Sequence, residues 1–164
     1  MHCIRGFIGK EGIIKDFANN WIEAKPVTLA QGFSIIFLTN ELYDSIVELI
    51  DSKLEVDYKE FFYYLSPSIY EVLIQESRNG KLAYIETDYF GGVGTQSAVL
   101  FENSKIKIKP LKTETFWDEK TNSFCHKPEG EKAINIVLKE LGVYKEKGRD
   151  EFDSIGLGSL RRMD

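Results

Sequence analysis

Residues 81–109, KLAYIETDYFGGVGTQSAVLFENSKIKIK, decide the fold. Side chains alternate in character along Lys81 to Tyr89, Gln96 to Phe101 and Lys105 to Lys109, the period of a strand with one face on a core. Gly91, Gly92 and Gly94 separate the first run from the second, and Asn103 with Ser104 separates the second from the third. Connections this short join antiparallel neighbours, so the stretch reads as a three-strand meander. In the third run Lys105, Lys107 and Lys109 form a solvated face that blunts a sheet edge.

Working outward, His2 to Ile8 alternates as a strand. Ile13, Ile14, Phe17 and Trp21 then share one helical stripe that ends near Asn20. Val27 to Leu29 and Phe33 to Leu38 read as strands joined at Gln31-Gly32. Pro26 puts the first near an edge or at a strand start, and the unbroken apolar run puts the second in the sheet interior. Thr39 or Asn40 caps a helix expected to reach Ser52. Ser66 and Pro67 open another that stops at Asn79-Gly80. On the C-terminal side, Lys112 to Lys127 reads as a polar connection with Phe116 and Trp117 buried. Glu129 to Leu141 reads as a helix closed by Gly142. The expected architecture is therefore α+β: a mixed, mainly antiparallel sheet with about four helices packed on it, whose C-terminal three-strand meander leads into a helix. One domain over 1–164 is expected, its tail from 145 ordered in part because Phe152, Ile155 and Leu157 call for burial.

With 164 residues, 43% apolar and 29% charged, the composition is that of a folded domain. No run approaches the length of a membrane span, and two distant cysteines with no signal-like start point to the cytoplasm. The net charge of −5 repels a phosphate backbone, so nucleic acid is a disfavoured partner and a basic protein or a small ligand is favoured.

His2-Cys3 and Cys125-His126 hold every histidine and cysteine. Adjacent residues on a strand point to opposite faces, so neither a zinc site nor a cysteine–histidine nucleophile pair is expected. No catalytic residues, metal or cofactor are assigned. Glu86 and Asp88 share a strand face and lead into the glycine turn, an arrangement suited to acid/base work, a hard cation or a basic partner. The turn lacks a P-loop ending, and Gly92-x-Gly94 opens a strand where a dinucleotide site needs a helix. Asp150, Glu151 and Asp153 are further carboxylate candidates, and the aromatic run from Tyr58 to Tyr70 reads as core.

Tyr89-Phe-Gly-Gly-Val-Gly-Thr-Gln96 and Asp150-Glu-Phe-Asp-Ser-Ile-Gly-Leu-Gly158, followed by Arg161, resemble a family of small bacterial proteins of this length without an established activity. The resemblance spans most of the chain and brings no functional residues with it. In general type the acidic α+β chain is also similar to immunity proteins that neutralise bacterial toxins. The leading expectation is a binding protein of that type, occluding a basic toxin or nuclease domain through Glu86, Asp88, Tyr89, Asp118 and Glu119. The alternative is a small-molecule-binding protein or carboxylate-based enzyme with its pocket at Gly91, Gly92, Gly94, Gln96, Asp153 and Arg161. A homodimer through the meander edge or the aromatic cluster is the third.

Overall fold

The computed structural model describes residues 1–163; Asp164, the last residue of the expected tail, lies outside them. The elements are β1 (His2–Lys10), α1 (Glu11–Asn20), β2 (Pro26–Thr28), β3 (Phe33–Phe37), α2 (Asn40–Leu49) and α3 (Pro67–Glu76). They continue with β4 (Lys81–Phe90), β5 (Val93–Glu102), β6 (Lys105–Asp118), β7 (Ser123–Lys127), α4 (Ala133–Leu141) and the short α5 (Glu151–Ser154). Seven strands form one sheet in the order β2-β3-β1-β4-β5-β6-β7, and every pairing is antiparallel.

Helices cover both faces. Phe7, Tyr84, Val99 and Phe101 meet Ile14 and Phe17 of α1, Leu42 and Ile46 of α2, and Ile69 and Leu73 of α3. Ile4, Ile8, Ile85 and Leu100 meet Ile134, Val137, Leu138 and Leu141 of α4, together with Ile155 and Leu157. The alternation along β1 and β4 thus divides side chains between two cores. Each fully buried Leu, Ile or Phe contributes about 1.5–3 kcal/mol. Gly6 allows β1 and β3 to close up, since a Cβ there would stand 2.5 Å from the Ile36 carbonyl oxygen. The tail is ordered through α5 and a 3-10 turn at Leu157–Ser159, and Cys3 N–H donates to the Arg161 carbonyl at 3.2 Å.

Three expectations need correcting. Helix α2 stops at Leu49, short of Ser52, because Ile50 turns to extended backbone. Residues 112–127 are not a polar connection: they form the outer half of β6 and all of β7, making the meander four strands long, and β5-β6-β7 leads into α4. Polar Lys112, Thr113, Glu114 and Thr115 hide the strand period there, and pairing to β5 on one side and β7 on the other imposes the conformation. Helix α4 starts at Ala133 and not at Glu129, because Gly130 holds φ at 102°, outside the helical region.

Candidate functional site

The informative end of the sheet is where β1 begins, β4 ends, β5 begins and the β6–β7 hairpin turns. Two clefts open there on opposite faces. The first, about 400 Å³, lies on the α4–α5 face and is lined by residues that include Tyr89, Gly91, Gly92, Gln96, Lys132, Asp150, Asp153 and Arg161. Of the six residues expected to form a pocket, Gly91, Gly92, Gln96, Asp153 and Arg161 line this cleft and Gly94 does not.

The bonding around the first cleft accounts for much of both glycine-containing segments. Lys132, the N-cap of α4, makes no side-chain cap. Strand side chains from below do so instead: Gln96 Oε1 accepts from Ile134 N–H at 2.9 Å and Thr113 Oγ1 accepts from Ala133 N–H at 2.8 Å. Gln96 Nε2 donates to Tyr89 Oη at 3.1 Å, so Tyr89 and Gln96 act as one unit that holds the helix start over the sheet. At Gly94 φ is 154° and a Cβ would collide with the Asp88 carbonyl oxygen, so β4 and β5 touch here through bare backbone.

The second segment is a docking device for the tail. Asp150 caps α5 by accepting from Asp153 N–H and also accepts from Asn135 Nδ2, both at 2.9 Å, while Asn135 Oδ1 accepts from Phe152 N–H at 3.0 Å. Phe152 packs its ring 5.4 Å from that of His2. A Cβ at Gly158 would strike the Asp153 carboxylate. His2 lies between Thr87 Oγ1 at 2.9 Å and the Leu157 carbonyl at 3.1 Å; burial, chiefly, lowers its pKa below the usual histidine value.

The second cleft, about 260 Å³, lies on the α2–α3 face. Glu86 lines it but is only 8% exposed, because the 58–65 segment folds over it. Its Oε2 accepts from Tyr63 N–H, and its Oε1 accepts from Tyr64 N–H and Tyr84 Oη, each at 2.8 Å. Burial raises the Glu86 pKa against the pull of those donors, and burial together with the Glu86 charge lifts Tyr84 well above the usual phenol value. Glu86 is thus a structural acceptor and does not belong to an exposed acidic surface.

The other residues expected at a partner surface are dispersed. Asp88 is exposed beside the second cleft, and Tyr89 lies on the opposite face. Asp118 accepts from Lys120 N–H and Thr121 Oγ1 in the β6–β7 turn, next to exposed Glu119. The sequence reading missed what lies between them. Phe90 is 78% exposed, Phe124 53%, Trp117 46% and Val93 43%. Phe90 and Val93 pair across the β4–β5 turn on the α2–α3 face, and Trp117 and Phe124 pair across β6–β7 on the α4–α5 face, the last two with their rings 4.9 Å apart. Gly92 joins the hairpins, since its Cα lies beneath the Phe124 ring, which a Cβ would approach to 2.7 Å. Four large apolar side chains exposed at the tips of two neighbouring hairpins were the available signal, hidden by reading 112–127 as a connection.

Among the described residues no group of three histidine, cysteine, aspartate or glutamate side chains is placed to hold a metal ion, and no helix is long and apolar enough to cross a membrane. Searches find no protein-family model, curated protein or solved structure that matches the chain.

Proposed function

We propose that the chain is a protein-binding module of the immunity type, which occludes a basic partner domain with the hairpin end of its sheet. The observation that carries this reading is the exposure, at one end of the sheet, of Phe90 and Val93 on one face and of Trp117 and Phe124 on the other. Aromatic side chains exposed together on a rigid scaffold are the usual anchors of protein interfaces, where a few such residues supply most of the binding energy. The hairpins that present them are stiffened by Gly92 and Gly94, whose contacts leave no room for a side chain.

Charge has a secondary role here. Along the hairpin strands Asp88, Glu114, Asp118 and Glu119 flank these apolar residues in sequence, and so do Lys112, Lys120 and Lys127. Charge along these strands is close to balanced, so the overall −5 steers a basic partner during approach and the exposed apolar side chains hold it.

The test is affinity capture from an extract of the source cells with the tagged wild type and with Phe90→Ser/Trp117→Ser/Phe124→Ser. One stoichiometric basic protein is retained by the wild type and lost from the variant. A partner retained equally by both would refute the assignment of the surface.

The alternative of a small-molecule site rests on a separate observation: both glycine-containing segments meet at the cleft on the α4–α5 face. Lys132 and Arg161 line it, and neither is in an ion pair among the described residues. Screening small anions against the wild type and Lys132→Ala/Arg161→Ala decides this reading, which requires saturable binding that the variant loses.

A further inference from the structure

The cleft on the α2–α3 face contains a buried guanidinium that no carboxylate among the described residues meets within ion-pair distance. Arg5 is 6% exposed. Its Nε donates to the Leu38 carbonyl and its Nη2 to Asn40 Oδ1, both at 2.7 Å, and its guanidinium lies 3.5 Å from the centre of the Tyr64 ring. Nη1 has no acceptor among the described residues, and no carboxylate forms an ion pair with Arg5 there. Fully buried side-chain polar atoms in the described chain are all paired, so Nη1 opens on space, and the space Arg5 lines is this cleft.

Glu86, the cross-strand neighbour of Arg5, offsets part of its charge from beyond hydrogen-bond distance, its oxygens being held by Tyr63 N–H, Tyr64 N–H and Tyr84 Oη. A guanidinium held by two other acceptors and stacked on a tyrosine is preorganised to receive an oxyanion on its free nitrogen. The walls around it are the rings of Phe61, Tyr63 and Tyr64, with Met163 beside them. Asp88 stands exposed among the lining residues and, together with Glu86, opposes a second negative charge on the ligand. The volume of about 260 Å³ lies just below the usual range for drug-sized ligands, which sets the ligand at roughly amino-acid size.

We propose that this cleft binds a small monocarboxylate with a flat apolar body, its carboxylate on Arg5 Nη1 and its body against the Tyr63 and Tyr64 rings. None of Phe90, Val93, Trp117 and Phe124 lines this cleft, and the proposal does not depend on a protein partner.

The experiment is NMR titration of the whole chain with phenylacetate and with L-phenylalanine, using phenyl phosphate as a dianionic control. Saturable shifts are expected at the Tyr63, Tyr64 and Thr95 amides, with phenyl phosphate weaker than phenylacetate. Stronger binding of phenylacetate would identify simple acids as the ligand source, and stronger binding of L-phenylalanine would identify amino acids whose ammonium meets Asp88. Arg5→Lys retains the charge but not the fork, and it weakens the better probe by about tenfold or more. Asp88→Asn alters an exposed group without disturbing the fold, and removing its charge tightens phenylacetate by about threefold. The proposal is overturned if neither probe saturates, if the shifts fall at Gly91 and Gly92 instead, or if neither substitution changes affinity.

Discussion

Replacing Gln96 by Leu removes the acceptor that caps α4 while keeping the side chain's approximate size. In the wild type Gln96 Oε1 accepts from Ile134 N–H and its Nε2 donates to Tyr89 Oη. The phenol loses little, because Thr115 Oγ1 remains 3.4 Å away. Ile134 N–H, by contrast, stays in a buried helix start, and an unpaired buried donor costs about 1–3 kcal/mol. For a chain of this length each kcal/mol moves the melting temperature by about 2–4 °C, so a cost near 2 kcal/mol lowers Tm by about 4–8 °C. Thr113→Val strands Ala133 N–H in the same way. The two caps hold one helix end, so the double variant loses less than the sum of the single losses. Urea and thermal denaturation give the energies, and amide exchange at Ile134 gives the location. Unchanged melting with unchanged exchange at Ile134 would refute the capping argument and return Gln96 to the list of ligand-binding candidates.

Glu86→Gln places an amide donor against backbone donors at Tyr63 and Tyr64. It destabilises the fold by about 1–3 kcal/mol and loosens the 58–65 segment, which proteolysis of that segment will show. Gly94→Ala forces a side chain into the Asp88 carbonyl, so the β4–β5 hairpin loses its register at the turn, a change visible in the amide spectra of 88–97. His2 has a lowered pKa in the folded state, so its contribution to stability is present above 6.5 and is lost as pH falls below that value. Glu86 has a raised pKa, so its contribution is present below 4.5 and is lost as pH rises through the folded value. Denaturation across pH 6.5 to 4.5 therefore shows a smaller acid-side loss in His2→Gln than in the wild type, and parallel curves would contradict the assignment.

The strands of 81–109 were legible because each lies half against a core, and half-burial writes a period of two into the sequence. The outer part of β6 was not, since Lys112 to Thr115 are all polar whichever face they meet. Trp117, expected inside, stands half in solvent, and nothing local distinguishes an aromatic that packs from one that is displayed. The aromatic run at 58–70 divides in the same way: Phe62 is buried while Tyr63 is exposed. Arg5 gave no signal at all, because its role depends on Leu38, Asn40 and Tyr64, more than thirty residues away along the chain. The carboxylate pair Glu86 and Asp88 was correctly placed on one strand face. The covering segment that separates them, burying one and leaving the other in water, is a tertiary feature.

Hydrogen–deuterium exchange of the chain alone and bound to its captured partner tests the binding surface most directly. The account predicts new protection confined to the β4–β5 turn around Phe90 to Val93 and to the β6–β7 hairpin from Trp117 to Phe124. Protection on α2 and α3, or none at either hairpin, would contradict it.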